Sequence, residues 1–247
     1  MLFAGGLSFS GGIDAAGTEK MAASMVKPFA QRRRVLFVNR RRDLPRGMTM
    51  AEMAAEHADA IRSLGVGPVD VGGISTGGSI VQQLAADHPD VVDRLLLVST
   101  ACRLGPDGRR LQRRISARVR AGSLRQAMAV AVTGLVPPGR GQTAVAAVVW
   151  AGGPRVLAGG DDLTDMATTI EAEDAFDLAA CASPIRAPTT ILAGGDDRWY
   201  SRELFEETAR LIPGSRLRIF EGRGHVSVGR DPGFKQELER FAQEGAA

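Results

Sequence analysis

Three kinds of side chain, set far apart in the chain, could together do acyl-transfer chemistry: Ser75, His225 and one of the paired aspartates Asp196 and Asp197. Ser75 sits in Gly73-Ile74-Ser75-Thr76-Gly77, a match to G-x-S-x-G. In that motif a strand turns sharply into a helix and lifts the serine into a sparsely allowed backbone conformation. Gly73 and Gly77 are the small residues that let strand and helix approach each other. A serine hydroxyl is too weakly acidic to attack at neutral pH, so it needs a general base. The chain offers three histidines. His57 falls on the apolar stripe of a helical pattern and reads as a packed, hydrogen-bonded residue. His88 precedes Pro89 at a helix end, where it can complement the dipole. His225 ends Glu221-Gly222-Arg223-Gly224-His225, a loop after a strand-like run. A carboxylate must then fix the imidazole tautomer, and Asp196 and Asp197 follow another strand. Each group has a plain alternative: an idle serine in a glycine turn, a surface-loop histidine, an aspartate pair capping a helix. Their shared position after strands argues for the chemical reading.

Those positions depend on the elements beneath them. Short apolar runs at residues 2–4, 35–38, 69–72, 95–99, 190–193 and 217–220 alternate with helical patterns, the signature of a parallel sheet with crossover helices. None shows polar alternation, as expected for strands covered on both faces. Thr49 and Glu52 form a capping box ahead of Met53, His57, Ala60, Ile61 and Leu64, with Gly65 as the stop. A second helix begins at Gly77 or Gly78 and ends before Pro89. A third has Ser201 as N-cap, and a fourth runs from Asp231 and Pro232 to Gly245. Residues 103–187 carry several helical segments and no convincing strand, with Pro137-Pro138-Gly139 as a breaker. This reads as a helical insertion over one edge of the sheet.

Composition narrows the function further. The 247 residues are 44% hydrophobic and 24% charged, an ordinary globular balance sufficient for one sizeable domain. Cys102 and Cys181 lie far apart with no metal-ligand spacing, so no disulfide framework and no metal site is expected. The first residues lack a basic flank and a long apolar run, which points to a cytoplasmic protein. Two arginine clusters flank residues 35–38, but the net charge is only +3 and aromatics are 5%, too few to interleave as a base-stacking platform. A small-molecule substrate is the expected partner, with self-association allowed and neither nucleic acid nor membrane expected.

With these residues in place the chain resembles the α/β-hydrolase family over nearly its whole length. Leu84-Ala85-Ala86-Asp87-His88-Pro89 and Val92-Asp93-Arg94-Leu95-Leu96-Leu97-Val98 resemble the family's helix and strand after the nucleophile elbow. Pro184-Ile185-Arg186-Ala187-Pro188-Thr189-Thr190-Ile191-Leu192-Ala193-Gly194 resembles the return from the cap into the acid strand, where G-x-x-D selects Asp197. Gly222-Arg223-Gly224-His225 resembles the histidine loop. Met1-Leu2-Phe3-Ala4-Gly5-Gly6-Leu7 resembles the strand and oxyanion loop, with Gly5 where many relatives have histidine and no counterpart to the usual preceding hairpin.

The resemblance implies a mostly parallel sheet with helices on both faces, a core of residues 1–102 and 188–247, and a helical cap over 103–187. It implies a Ser75-His225-Asp197 triad and an oxyanion hole from the backbone of Thr76 and of Leu7 or Gly6. It implies no cofactor. The expected activity is hydrolysis of a carboxylic ester or thioester of a small hydrophobic substrate through an acyl-enzyme. A lyase or carbon-carbon bond hydrolase on the same fold is the alternative, and a noncatalytic binding protein a more remote one. Trp150, Trp199 and Tyr200 are the aromatic candidates for the pocket.

Overall fold

The computed structural model describes residues 1–9, 16–157, 163–181 and 183–244. Within them one six-stranded sheet contains β1 (Leu2–Ala4), β2 (Leu36–Val38), β3 (Val69–Ile74), β4 (Val92–Val98), β5 (Thr189–Gly194) and β6 (Arg216–Phe220). The order is β2-β1-β3-β4-β5-β6, and every pairing is parallel. The expected fold class is therefore present. In β4, Leu95 and Leu97 join one apolar cluster while Leu96 and Val98 join another, so the pleat feeds two cores on opposite faces.

One core lies under α2 (Met50–Ser63), α3 (Thr76–Asp87) and α8 (Arg202–Leu211). The other lies under α1 (Ala16–Ala30) and α9 (Pro232–Glu244), where Phe29 meets Phe241 edge to face at 6.3 Å. The chain starts at β1, steps outward to β2, and returns past β1 to β3. The strands β1 and β3 are thus neighbours whose following connections leave in opposite directions. Such a switch point opens a crevice at the carboxyl ends of parallel strands.

Between β4 and β5 come α4 (Pro106–Arg120), α5 (Leu124–Leu135), α6 (Arg140–Leu157) and α7 (Thr164–Ala175). Pro137 and Pro138 fall between α5 and α6. The Thr49 capping box is complete: the Thr49 hydroxyl accepts from the Glu52 N–H at 3.2 Å, and the Glu52 carboxylate accepts from the Thr49 N–H at 2.7 Å. Gly65 follows the C-cap at φ +63°.

Several boundaries differ from the sequence reading. Helix α3 starts at Thr76 rather than Gly77 or Gly78, because the turn is completed by Ser75 itself. Ser201 occupies the N-cap of α8, yet its side chain makes no cap hydrogen bond. His88 ends α3 through its backbone, whose N–H donates to the Leu84 carbonyl at 2.8 Å. Gly245 lies outside the described residues. The helix α1 has no counterpart in the sequence reading. Met25, Val26 and Phe29 make only a short apolar stripe, and Pro28 sits in its last turn.

Candidate active site

The site starts from backbone geometry. Ser75 is held at φ +53°, ψ −128°, a conformation that costs a non-glycine residue about 1–3 kcal/mol. Its N–H donates to the Val98 carbonyl at 3.0 Å, and its carbonyl accepts from the Gly78 N–H at 2.7 Å. A methyl on Gly77 would stand 2.4 Å from the carbonyl oxygens of both Ala4 and Gly5, and one on Gly73 would stand 2.5 Å from the Gly77 oxygen. Three backbones, β1, β3 and α3, therefore meet with no room for a Cβ. That close approach raises the Ser75 side chain above the carboxyl edge of the sheet.

The two other expected residues converge on it. Nε2 of His225 lies 3.0 Å from Oγ of Ser75, and Nδ1 lies 2.8 Å from Oδ2 of Asp197. The Asp197 side chain is 0% exposed. Asp196 points to solvent, and its backbone N–H instead donates to the Arg223 carbonyl at 2.8 Å, tying the acid loop to the histidine loop. Asp197 is thus the member of the pair that reaches the imidazole. Its other oxygen accepts from the N–H groups of Trp199 at 2.8 Å and Tyr200 at 3.3 Å, which fixes the carboxylate plane. A carboxylate only accepts, so Nδ1 carries the proton and Nε2 presents its lone pair to the serine.

Two rings pack against the imidazole. Tyr200 stacks on it at 6.1 Å and 20°, and Trp199 leans on it at 5.9 Å. Two anchors of this arrangement escaped the sequence reading. Ser99, in a left-handed conformation at φ +47° just past β4, donates its hydroxyl to the His225 carbonyl at 2.9 Å. Glu173 of α7 is completely buried and receives the Tyr200 hydroxyl at 2.8 Å. Burial and the Glu173 carboxylate push the Tyr200 phenol well above its ordinary range, so it is a neutral donor. Nothing in the run Glu171-Ala172-Glu173-Asp174 marks Glu173 as different from the exposed Glu171.

A cavity of about 480 Å³ opens beside the serine. Near Ser75 and His225 its wall includes Gly6, Leu7, Thr76 and Trp199. Its wall also includes Phe29, Phe234 and Leu238 from the core and Ile115, Ala131 and Met166 from α4, α5 and α7. The expected aromatic lining is corrected at two positions. Trp150 is 48% exposed, outside this wall, with the Arg125 guanidinium 5.2 Å above its ring. Tyr200 packs behind the imidazole rather than in the cavity wall. Among the described residues no group of three or more His, Cys, Asp or Glu is placed to hold a metal, and no helix is long and apolar enough to cross a membrane.

The model of the alpha/beta hydrolase family, Abhydrolase_6, matches residues 2–236. The chain belongs to the alpha/beta hydrolase family. Among curated relatives it is 28% identical over 183 residues to RutD of Klebsiella pneumoniae, a candidate carbamate hydrolase, covering 74% of this chain and 68% of that one. A hydrolase from Pseudomonas aeruginosa superposes with a TM-score of 0.78 at 24% identity, over 98% of this alpha/beta hydrolase and 89% of that chain. The enol-lactonase of Burkholderia xenovorans superposes with a TM-score of 0.73 at 25% identity, over 97% and 90%.

Proposed function

We propose that this alpha/beta hydrolase cleaves a carboxylic ester or thioester of a small, largely hydrophobic substrate through an acyl-enzyme on Ser75. One observation carries the reading: an unbroken hydrogen-bonded line from Ser75 Oγ through both nitrogens of His225 to buried Asp197, beside an apolar cavity.

In this reading His225 Nε2 removes the Ser75 proton as Oγ bonds to the substrate carbonyl carbon. The carbonyl oxygen gains negative charge and is held by the backbone N–H groups of Thr76 and of Leu7 or Gly6, at the positive end of α3. Collapse breaks the bond to the alcohol or thiol, which leaves with the proton from His225. Water then attacks the acyl-serine with His225 again as base, and the acid departs. The helices α4 to α7 act as the cap, and α4, α5 and α7 supply one wall of the acyl cavity. Relatives named for a carbamate and an enol-lactone have the same kind of target, an acyl carbonyl bonded to a heteroatom.

The test is covalent labelling by a fluorophosphonate, read by peptide mass spectrometry. The expected adduct is on Ser75, and Ser75→Ala should lose both the label and turnover of activated esters by about 10⁶. Undiminished labelling of that variant removes Ser75 from the mechanism.

A further inference from the structure

Glu173 is a buried carboxylate whose four hydrogen-bond partners are all uncharged. Oε2 accepts from the Thr76 hydroxyl and from Gln112 Nε2, both at 2.6 Å, and Oε1 accepts from the Tyr200 hydroxyl at 2.8 Å and the Ser79 hydroxyl at 3.1 Å. All five residues are buried. Removing a charge from water is costly unless it is hydrogen-bonded, and four donors with the first turn of α3 supply that compensation. For stability alone, apolar side chains replacing the carboxylate and its donors together would serve about as well.

The partners belong to different elements, and three of them touch the site. Thr76 follows Ser75 and, with Gln112 of α4, lines the cavity. Tyr200 stacks on His225. Glu173 itself belongs to α7, so one carboxylate joins the elbow, the acid loop and two helices of residues 103–187.

We propose that Glu173 is a positioning residue for this site: its carboxylate holds Thr76 and Tyr200, and through them the amide and the imidazole that flank the Ser75 oxygen. The inference rests on the acyl-transfer reading above. Its physical basis is that catalysis depends steeply on placement, a displacement of about 1 Å costing on the order of a hundredfold in rate. Glu173 touches no reacting atom in this scheme and acts only through its neighbours.

The experiment compares wild type, Glu173→Gln, Thr76→Val and the double variant with a p-nitrophenyl ester, following kcat and KM separately. Circular dichroism melting measures the folded fraction. Glutamine keeps the shape but replaces one acceptor by a donor; valine keeps the Thr76 amide but removes its tether. Each single variant is expected to lose about tenfold to a hundredfold in kcat with KM within about threefold, and the double variant to lose no more than the worse single one. Fluorophosphonate labelling of Ser75 should slow in parallel. If Glu173→Gln retains kcat within about twofold while wild type is labelled at Ser75, or if its loss only follows the unfolded fraction, Glu173 has no positioning role. Losses that multiply in the double variant likewise overturn action through Thr76. Should Glu173→Gln fail to fold, Thr76→Val decides alone: full kcat refutes the proposal, and a kcat loss at unchanged KM sustains it. Absence of label on wild-type Ser75 is a separate result that overturns the acyl-transfer reading and this inference with it.

Discussion

Nε2 of His225 stands 3.0 Å from Oγ of Ser75 although 150 residues separate them in the chain. The contact requires two loops at the carboxyl ends of β3 and β6 to lean over the strands between them. Backbone bonds achieve this. The Arg223 carbonyl accepts from Asp196, and Gly194 gives the histidine loop passage where a Cβ would come within 2.3 Å of the Arg223 oxygen.

Asp197→Asn should lower kcat by about 10³ to 10⁴ while Asp196→Asn stays within about twofold of wild type. The Trp199 and Tyr200 N–H groups require an oxygen, so the asparagine must turn its NH₂ toward His225 Nδ1. That stabilises the tautomer with the proton on Nε2, which cannot accept from Ser75. Steady-state kinetics on an activated ester checks both variants.

Gly77→Ala should destabilise the fold by about 3 kcal/mol or more, because the added methyl meets the carbonyl oxygens of Ala4 and Gly5 rather than a yielding side chain. Urea unfolding followed by tryptophan fluorescence measures it. A midpoint equal to wild type would mean that β1 and α3 are less closely apposed.

Stability should fall on acidification through His57. Its Nδ1 lies 2.7 Å from the Met53 carbonyl, and burial lowers its pKa from the usual 6.5. The unfolded imidazole therefore takes a proton at higher pH than the folded one. The contribution is complete above about pH 6.5 and is lost as pH falls toward the depressed folded value. Urea midpoints at pH 7 and pH 5 should differ more for wild type than for His57→Gln, which does not titrate.

Ala131→Phe should shorten the acyl preference. Ala131 lines the cavity on α5, and an aromatic ring there occupies space that a longer acyl group needs. The ratio of kcat/KM for a p-nitrophenyl octanoate to that for the acetate should drop about tenfold or more. An unchanged ratio would indicate that the acyl chain lies elsewhere.

Much of this protein was legible in its residues. Alternating apolar runs and helical patterns gave the parallel sheet, because strands buried on both faces cannot hide their composition. The sequence Gly73-Ile74-Ser75-Thr76-Gly77 marked a tight strand-to-helix turn at Ser75, because only glycine tolerates such close backbones. Local patterns end there. The proximity of Ser75, Asp197 and His225 could only be expected, since no spacing law links residues in three loops. The choice between Asp196 and Asp197 became geometric once one side chain was buried against the imidazole and the other faced solvent. Ser99 and Glu173 left no trace in the sequence, for their roles depend on what stands opposite them. Trp150 shows the reverse: its type suggested a pocket, but α6 turned it outward beneath Arg125. Residue type and short-range periodicity fix elements and turns through local sterics and burial, whereas a hydrogen bond between distant side chains exists only when packing brings them within about 3 Å.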